Sequence, residues 1–596
     1  MKEAIVKGGS FLIEDIDPDR IFTPEDFDEE QRLVAKSAEE FAQGELLPRA
    51  DELEVLNYDL IRQLMARTGE LGLLSADIPE VYGGVGLDKV CSTLITEKMI
   101  LGGTSFAVTF SDHTGIGSLP IVFFGTPQQK EKYLPKLATG EIIGAYALTE
   151  SEHGSDALRC KTTATLSEDG KYYVLNGQKQ FITNAGFADL FLTYAQVDGE
   201  KFTGFIVERS TEGVSLDEEE KKMGVHGTST RAVIFEDVRV PVENVLGAIG
   251  KGHIVALNTL NIGRFKLGGA CVGGAKSTLA EAVRYAKQRV QFGKPIAEFG
   301  LIKHKIAEMT IRIYATESMV YRTAGLIDGV LQGIDPTAEN AGQESAQGIR
   351  EYATECSINK VFASETLDYV ADEAVQILGG YGYIQEYLPE RVYRDSRINR
   401  IWEGTNEINR MLVLDMLMRK AMKGDLPLLP AMQKLMGEFM SYTPALMASE
   451  TTILGAQAKM VEMAKKIALM AAGSATQKYM EKLRDEQEIV ALIADMVIEI
   501  FAMESVLLRS LKKIDRSGEK EASIHVAITQ AYIDEAFPRV DLLARQLLGA
   551  VSVGDELRTQ LAGLKKFARY TPINAVALRR EIADSVLSVS RYHLSS

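Results

Sequence analysis

The segment Ile401-Trp402-Glu403-Gly404-Thr405-Asn406-Glu407 sets a carboxylate between the only tryptophan of the chain and a glycine. A carboxylate partly stripped of water holds its proton more tightly and becomes a better general base. Glu403 is therefore the first candidate for proton abstraction. The same residues also read as a helix start with Thr405 or Asn406 as cap, and the two readings are compatible.

Four other segments carry residue types that bind ligands. Tyr146–Asp156 contains Thr149, Glu150, Gly154, Ser155 and Asp156, a polar turn able to present N–H groups and hydroxyls; a plain Asx or Ser turn fits equally. In Phe181-Ile182-Thr183-Asn184-Ala185-Gly186 an aromatic ring and a hydroxyl two residues apart share one strand face. They could stack a planar ring and hydrogen-bond its edge, or simply end a strand. Arg289-Val290-Gln291-Phe292-Gly293-Lys294-Pro295 pairs two cations with a turn, which suits a phosphate or a solvated helix end. Gln376-Ile377-Leu378-Gly379-Gly380-Tyr381-Gly382 lets a phosphate approach the backbone. It lacks the strand–glycine–helix context of a dinucleotide fingerprint.

These segments need a scaffold of several domains, which 596 residues supply. From about Pro24 to Gly140 the pattern is helical, with Leu33, Val34, Ala38 and Phe41 on one apolar stripe. From about Tyr146 to Gly247 short runs read as strands: Lys171–Gly177, Leu190–Ala195, Thr203–Val207 and Arg231–Phe235. Their spacing predicts a small antiparallel β domain. Helices return from about His253 to Lys420. Lys423–Pro430 reads as a linker, and a further helical region follows, in which Ile489, Ile493, Ile500, Met503 and Leu507 keep a helical period. The expected units are 1–144, 145–250, 251–422 and 431–596, an α+β chain.

A net charge of −17 argues against nonspecific nucleic-acid binding. The four scattered cysteines indicate neither a disulfide framework nor a metal site. The opening residues from Met1 to Gly8 lack a signal-peptide core, and no apolar run is long enough to span a bilayer. A cytoplasmic protein is expected, with peripheral membrane contact left open.

Taken together and in order, these segments resemble the acyl-CoA dehydrogenase family from about Phe22 to Lys420. Gln376, Gly379, Gly380, Gly382, Tyr383, Glu386, Arg391 and Asp395 keep the family's spacing, as does Trp402-Glu403-Gly404-Thr405. Three positions of the first signature depart, with Ser151, His153 and Arg159 in place of proline and small residues. His153 is placed to crowd the flavin or thioester. Phe181 replaces a usual tryptophan.

The resemblance implies a helical N-terminal domain, a central antiparallel β domain, a C-terminal four-helix bundle and an additional helical domain. It implies FAD as cofactor and no metal. Tyr146, Leu148 and Thr149 would line the flavin ring, Phe181 and Ile182 would cover it, and Thr183 would bond near N5. Arg289, Gln291 and Phe292 would reach the FAD of a neighbouring subunit, with Gln376, Gly379 and Gly380. Thr405 and Glu407 would contact FAD. Ser155, Asn261, Arg264 and Gly404 would contact the acyl-CoA, with Glu403 as base; Gly263 stands where some branches carry the base. Asp112, His113, Gly115 and Gly117 match the segment at the acyl tail's end: the glycines would leave depth, while Asp112 and His113 suit a greasy tunnel poorly.

The region beyond residue 430 resembles the extension of the very-long-chain branch. That implies a homodimer, a fatty acyl-CoA substrate of long chain and an electron-transfer flavoprotein as acceptor. An oxidase or a non-catalytic scaffold would share the fold; the retained Glu403 and flavin segments oppose the scaffold.

Overall fold

The computed structural model describes residues 5–441 and 452–595. Met1–Ala4, part of the opening read for a signal peptide, lie outside the described residues. The N-terminal region is helical, with α1 (Glu29–Phe41), α2 (Tyr58–Glu70), α3 (Lys89–Met99), α4 (Thr104–Thr114) and α5 (Pro127–Thr139). Asp28 caps α1 by accepting the Gln31 N–H at 2.8 Å, and Gln31 answers in a capping box. The expected stripe of α1 is only partly right. Ala38 and Phe41 are buried, but Leu33 is 61% exposed, because the helix packs on one narrow side against α3.

A sheet follows: β1 (Gly144–Ala147), β2 (Thr163–Leu166), β3 (Tyr172–Thr183), β4 (Leu190–Val197), β5 (Lys201–Glu208), β6 (Val214–Leu216), β7 (Thr230–Pro241) and β8 (Val245–Leu246). Its order is β6-β7-β3-β2-β4-β5-β8, with β1 also on β4. The sheet is mixed, not antiparallel as expected. β1 and β2 both run parallel to β4, with Tyr146 opposite Leu192 and Thr163 opposite Gln196. These two strands have four residues each and flank the Thr149–Asp156 loop, so neither shows a period long enough to read. Phe191, Phe205, Val233 and Val238 fill the sheet's core.

The bundle consists of α6 (Gly252–Gln288), α7 (Gly300–Leu331), α8 (Ala353–Leu378) and α9 (Asn406–Lys423). Between α6 and α7 a two-stranded hairpin pairs Val290–Gln291 with Lys294–Pro295. Glycines let α6 lie close to its neighbours: a β-carbon at Gly269 would sit 2.8 Å from Thr93 Cγ2 of α3, and one at Gly268 2.8 Å from Val320 Cγ2 of α7.

The expected linker is shorter than read, since α10 (Leu428–Ser441) begins inside it. The extension continues with α11 (Gly455–Tyr479), α12 (Gln487–Glu521), α13 (Ser523–Val551), α14 (Gly554–Phe567) and α15 (Ala575–Val589). Ile489, Ile493, Ile500, Met503 and Leu507 are all buried, since α12 packs on α7, α9, α11 and α13.

A buried ion network ties this extension to the bundle. Arg509 of α12 donates to Glu317 of α7 at 2.7 Å and to Glu25 at 2.9 Å. Lys276 of α6 bridges Glu317 at 2.5 Å and Glu97 of α3 at 2.8 Å. The Tyr592 hydroxyl donates to Glu317 at 2.6 Å. No described helix is long and apolar enough to cross a membrane.

Candidate active site

Glu403 lies in the turn before α9, and both it and Gly404 have left-handed backbones, with φ of 56° and 81°. Such a turn needs its carbonyls fixed, and three elements fix them. Arg264 of α6 donates to the Glu403 carbonyl at 3.1 Å, and Lys360 of α8 to the Gly404 carbonyl at 2.7 Å. Asn409 Nδ2 of α9 donates to the Gly404 carbonyl at 2.7 Å and the Thr405 carbonyl at 3.1 Å. With the carbonyls turned to these donors, the Glu403 N–H donates to no described residue. Thr405 caps α9 by accepting the Ile408 N–H at 3.3 Å, and Glu407 is exposed in its first turn. Glu403 thus sits directly before a capped helix start. The Trp402 indole donates to Asn399 at 3.0 Å.

The Glu403 side chain points at α6. A β-carbon on Gly263 would stand 2.6 Å from its Cδ, so glycine is what admits the carboxyl. The residue as a whole is half-buried, but Oε2 is shut off from solvent and has no hydrogen-bond partner among the described residues. Burial raises its pKa, the charges of Arg264 and Lys360 pull it back, and the balance lies at about 7. Arg264 is oriented by Asn261, which accepts its Nη1 at 3.1 Å. Asn261 and Arg264, two of the residues expected to touch substrate, are thus linked to the turn.

Two further polar groups face Glu403. Burial, and then the neighbouring Tyr194, raise the Tyr146 phenol well above its usual pKa; its hydroxyl is buried with no hydrogen-bond partner among the described residues. Burial, and then the charge of Glu403, push the pKa of the Asp112 carboxyl of α4 well above the usual carboxylate range. Asp112 accepts from Asn184 Nδ2 at 3.2 Å. His113 turns the other way: Nε2 bonds the Leu137 carbonyl at 2.9 Å and Nδ1 accepts the Gly144 N–H at 3.1 Å. It braces β1. At Gly115 and Gly117 a side chain would meet backbone, not open space. A β-carbon on Gly115 would lie 2.7 Å from the Ser111 carbonyl oxygen, and one on Gly117 2.9 Å from the backbone of Gly144. These glycines serve close backbone packing.

On the sheet side, Phe181 has a left-handed φ of 60° and is 60% exposed, beside a register shift in the β3–β7 ladder. Thr183 is half-buried on the same face. Ile182 points oppositely, into the sheet core, so its side chain does not share the face of Phe181. Leu148 and Thr149 are pinned next to this strand. The Gln180 N–H donates to the Thr149 carbonyl at 2.9 Å. The fully buried Lys179 donates to the Leu148 carbonyl at 3.3 Å and to Glu150 at 2.8 Å. Ser155 is exposed. His153 is half-buried in the loop, its N–H bonded to the Glu150 carbonyl at 3.1 Å, with Nε2 lacking a partner among the described residues.

A third cluster lies elsewhere on the surface. Arg289, Gln291, Gly379, Gly380, Tyr381 and Ile384 line a groove of about 580 Å³. Arg289 lies over the Tyr381 ring at 5.8 Å, and Gln376 is exposed beside it. Phe292, at the hairpin tip, is 94% exposed.

Lys360 and Lys179 escaped the sequence reading. Lys360, followed by Val361 and Phe362 in a helical stretch, gave a weak signal; Lys179, flanked by Gln178 and Gln180, gave none. Among the described residues no group of His, Cys, Asp and Glu is placed to hold a metal ion.

A helical domain, a mixed sheet and a helical bundle, with a carboxyl in the bundle's turn unpartnered at Oε2 and an exposed aromatic on the sheet, form the layout of a flavin-dependent dehydrogenase of thioesters. The comparisons place the chain more closely. The acyl-CoA dehydrogenase N-terminal domain matches residues 28–141, the middle domain 145–238 and the C-terminal domain 250–418; a second acyl-CoA dehydrogenase C-terminal domain matches 463–566. A probable acyl-CoA dehydrogenase of Bacillus subtilis is 50% identical over 588 residues, 99% of this chain and 98% of that one. The human mitochondrial very long-chain specific acyl-CoA dehydrogenase is 42% identical over 353 residues, 58% of this chain and 51% of that one. The crystal structure of an acyl-CoA dehydrogenase complexed with FAD from Bacillus anthracis superposes with a TM-score of 0.97 at 52% identity, covering 99% of this chain and all of that one. The chain belongs to the acyl-CoA dehydrogenase family.

Proposed function

We propose that this protein is an FAD-dependent dehydrogenase of long-chain fatty acyl-CoA that forms trans-2-enoyl-CoA, with Glu403 as the base. The observation that carries the reading is the Glu403 carboxyl, buried, unpartnered at Oε2 and balanced at a pKa of about 7. The residues present fit FAD. Phe181 offers an exposed aromatic face and Thr183 a hydroxyl beside it, and Leu148 and Thr149 are held alongside. FAD bound there supplies the acceptor for the β-hydrogen as hydride. Glu403 takes the α-proton. Its own backbone N–H, left free by the carbonyl clamp, is the donor that stabilises charge growing on the thioester oxygen. Burial disfavours the charged forms of Tyr146 and Asp112, two polar groups that feel the charge of the Glu403 carboxyl.

The four units at 1–144, 145–250, 251–422 and 431–596 follow from this reading. The groove at Arg289 and Gly379, with the exposed Phe292, serves the FAD of a second subunit in a homodimer. Ser155 meets the CoA portion. An electron-transfer flavoprotein takes the electrons, and the enzyme works in the cytoplasm. Support for long chains comes from the likeness to the very-long-chain enzyme; a butyryl-CoA dehydrogenase of Megasphaera elsdenii also superposes, with a TM-score of 0.60 at 36% identity over 66% of this chain and 99% of that one. Anaerobic bleaching of the bound flavin by saturated acyl-CoAs of increasing length tests chemistry and chain length together. No bleaching at any length would refute the reading, and rapid peroxide formation in air would replace the proposed acceptor by oxygen.

A further inference from the structure

Lys360 is fully buried on α8, and nothing in the chemistry above calls for a lysine there. Its ammonium group reaches two acceptors, the Gly404 carbonyl and Asn406 Oδ1, each at 2.7 Å. Asn406 is held in turn by Ser364 at 3.1 Å and Glu365 at 3.0 Å. The lysine therefore grips the residue after Glu403 and the first residue of α9 at once. A neutral donor such as Asn409 already serves the same Gly404 carbonyl at 2.7 Å, so hydrogen bonding alone does not require a cation.

The charge is what distinguishes Lys360 from Asn409. Glu403 is faced by Arg264 from α6, Lys360 from α8, Asp112 from α4 and Tyr146 from β1. Arg264 spends its contacts on the Glu403 carbonyl and Asn261. Lys360 itself is faced by Glu403, Cys271, Arg264 and Glu407. Burial lowers its pKa and Glu403 pulls it back up, to about 8, so base and lysine titrate within reach of each other.

We propose that Lys360 is a positioning residue for the base: it fixes the left-handed Glu403–Gly404 turn and supplies a positive charge that keeps the buried Glu403 carboxylate ionisable. The inference rests on Glu403 being the base, but its test does not depend on turnover.

The test uses FAD-loaded full-length protein carrying Lys360→Met, Lys360→Gln or Lys360→Arg. The infrared carboxylic-acid band that disappears in Glu403→Gln is followed against pH. Losing the charge is expected to raise the midpoint of that band by about one pH unit, a tenfold change in proton affinity. Lys360→Arg should stay near the wild-type midpoint. In Lys360→Gln, turnover at pH 7 should fall roughly fivefold and recover toward pH 9, with KM for acyl-CoA little changed. If Lys360→Met does not hold FAD, the Gln and Arg variants decide alone. Coinciding midpoints for Lys360→Gln and the wild type would overturn the proposal, as would an equal shift in Lys360→Arg. Activity surviving in Glu403→Gln would remove the base assignment and leave a measured midpoint shift standing.

Discussion

Two buried charge clusters in this molecule obey opposite rules. Around Arg509, every carboxylate finds cations and hydroxyls. Burial alone would raise the pKa of Glu25, but Arg509 and His525 reverse the sign and bring it to about 2. Glu317, held by Lys276, Arg509 and Tyr592, also lies well below the usual range. Around Glu403, Arg264 and Lys360 give their hydrogen bonds to backbone carbonyls and to the side-chain oxygens of Asn261 and Asn406, and act on the carboxyl only through charge. Burial wins there and the pKa rises. What separates a structural carboxylate from a reactive one is thus which acceptor the neighbouring donors choose, not how deeply it lies.

The contrast can be broken most directly at Glu403. Glu403→Gln should lower turnover by about 10³-fold or more while denaturant stability stays the same or rises, since the amide carries no charge to desolvate. A fall in stability comparable to a network mutant would erase the distinction. Arg509→Met should do the reverse, costing roughly 3–5 kcal/mol in unfolding free energy because Glu25 and Glu317 stay buried without their partner, with kcat of the folded, flavin-loaded fraction near wild type.

The pH dependences should also run in opposite directions. Glu403 has a folded pKa raised to about 7, so its contribution to stability is full below the unfolded value near 4.5 and is lost as pH rises through 7. Relative to Glu403→Gln, the wild type should lose up to about 3 kcal/mol between pH 5 and pH 9. Glu25, depressed to about 2, contributes above pH 4.5 and is lost as pH falls toward 2. Unfolding curves at a series of pH values measure both limbs. The smallest effect is steric. Gly263→Ala places a methyl group against the carboxyl, and about an ångström of displacement should cost roughly 10²-fold in kcat/KM with little change in FAD binding.

The segment Trp402-Glu403-Gly404-Thr405 could be singled out because it is local, and the long strands and helices because their periods run for many residues. The contacts that give Glu403 its chemistry were not legible. Gly263 lies 140 positions upstream, Lys360 43 upstream and Asp112 291 upstream, and only the packing of α4, α6 and α8 brings them together. The parallel pairing of β1 with β4 was hidden for a related reason: four residues of fully buried strand carry no alternation to read. The resemblance gave Phe181 and Ile182 one task, and only the fold shows their side chains on opposite faces of the strand. His113 and the glycines near it show that a residue placed in the right segment can still serve the backbone.

The left-handed conformation of Glu403 carries a lasting evolutionary consequence. A side chain at φ 56° costs on the order of 1–2 kcal/mol relative to glycine. Genetic drift acting on stability alone would therefore favour its replacement by glycine or asparagine, and each such step would yield a sturdier, inert protein. Only selection for turnover opposes that tendency, so descendants freed from it should lose the acid first and keep the scaffold.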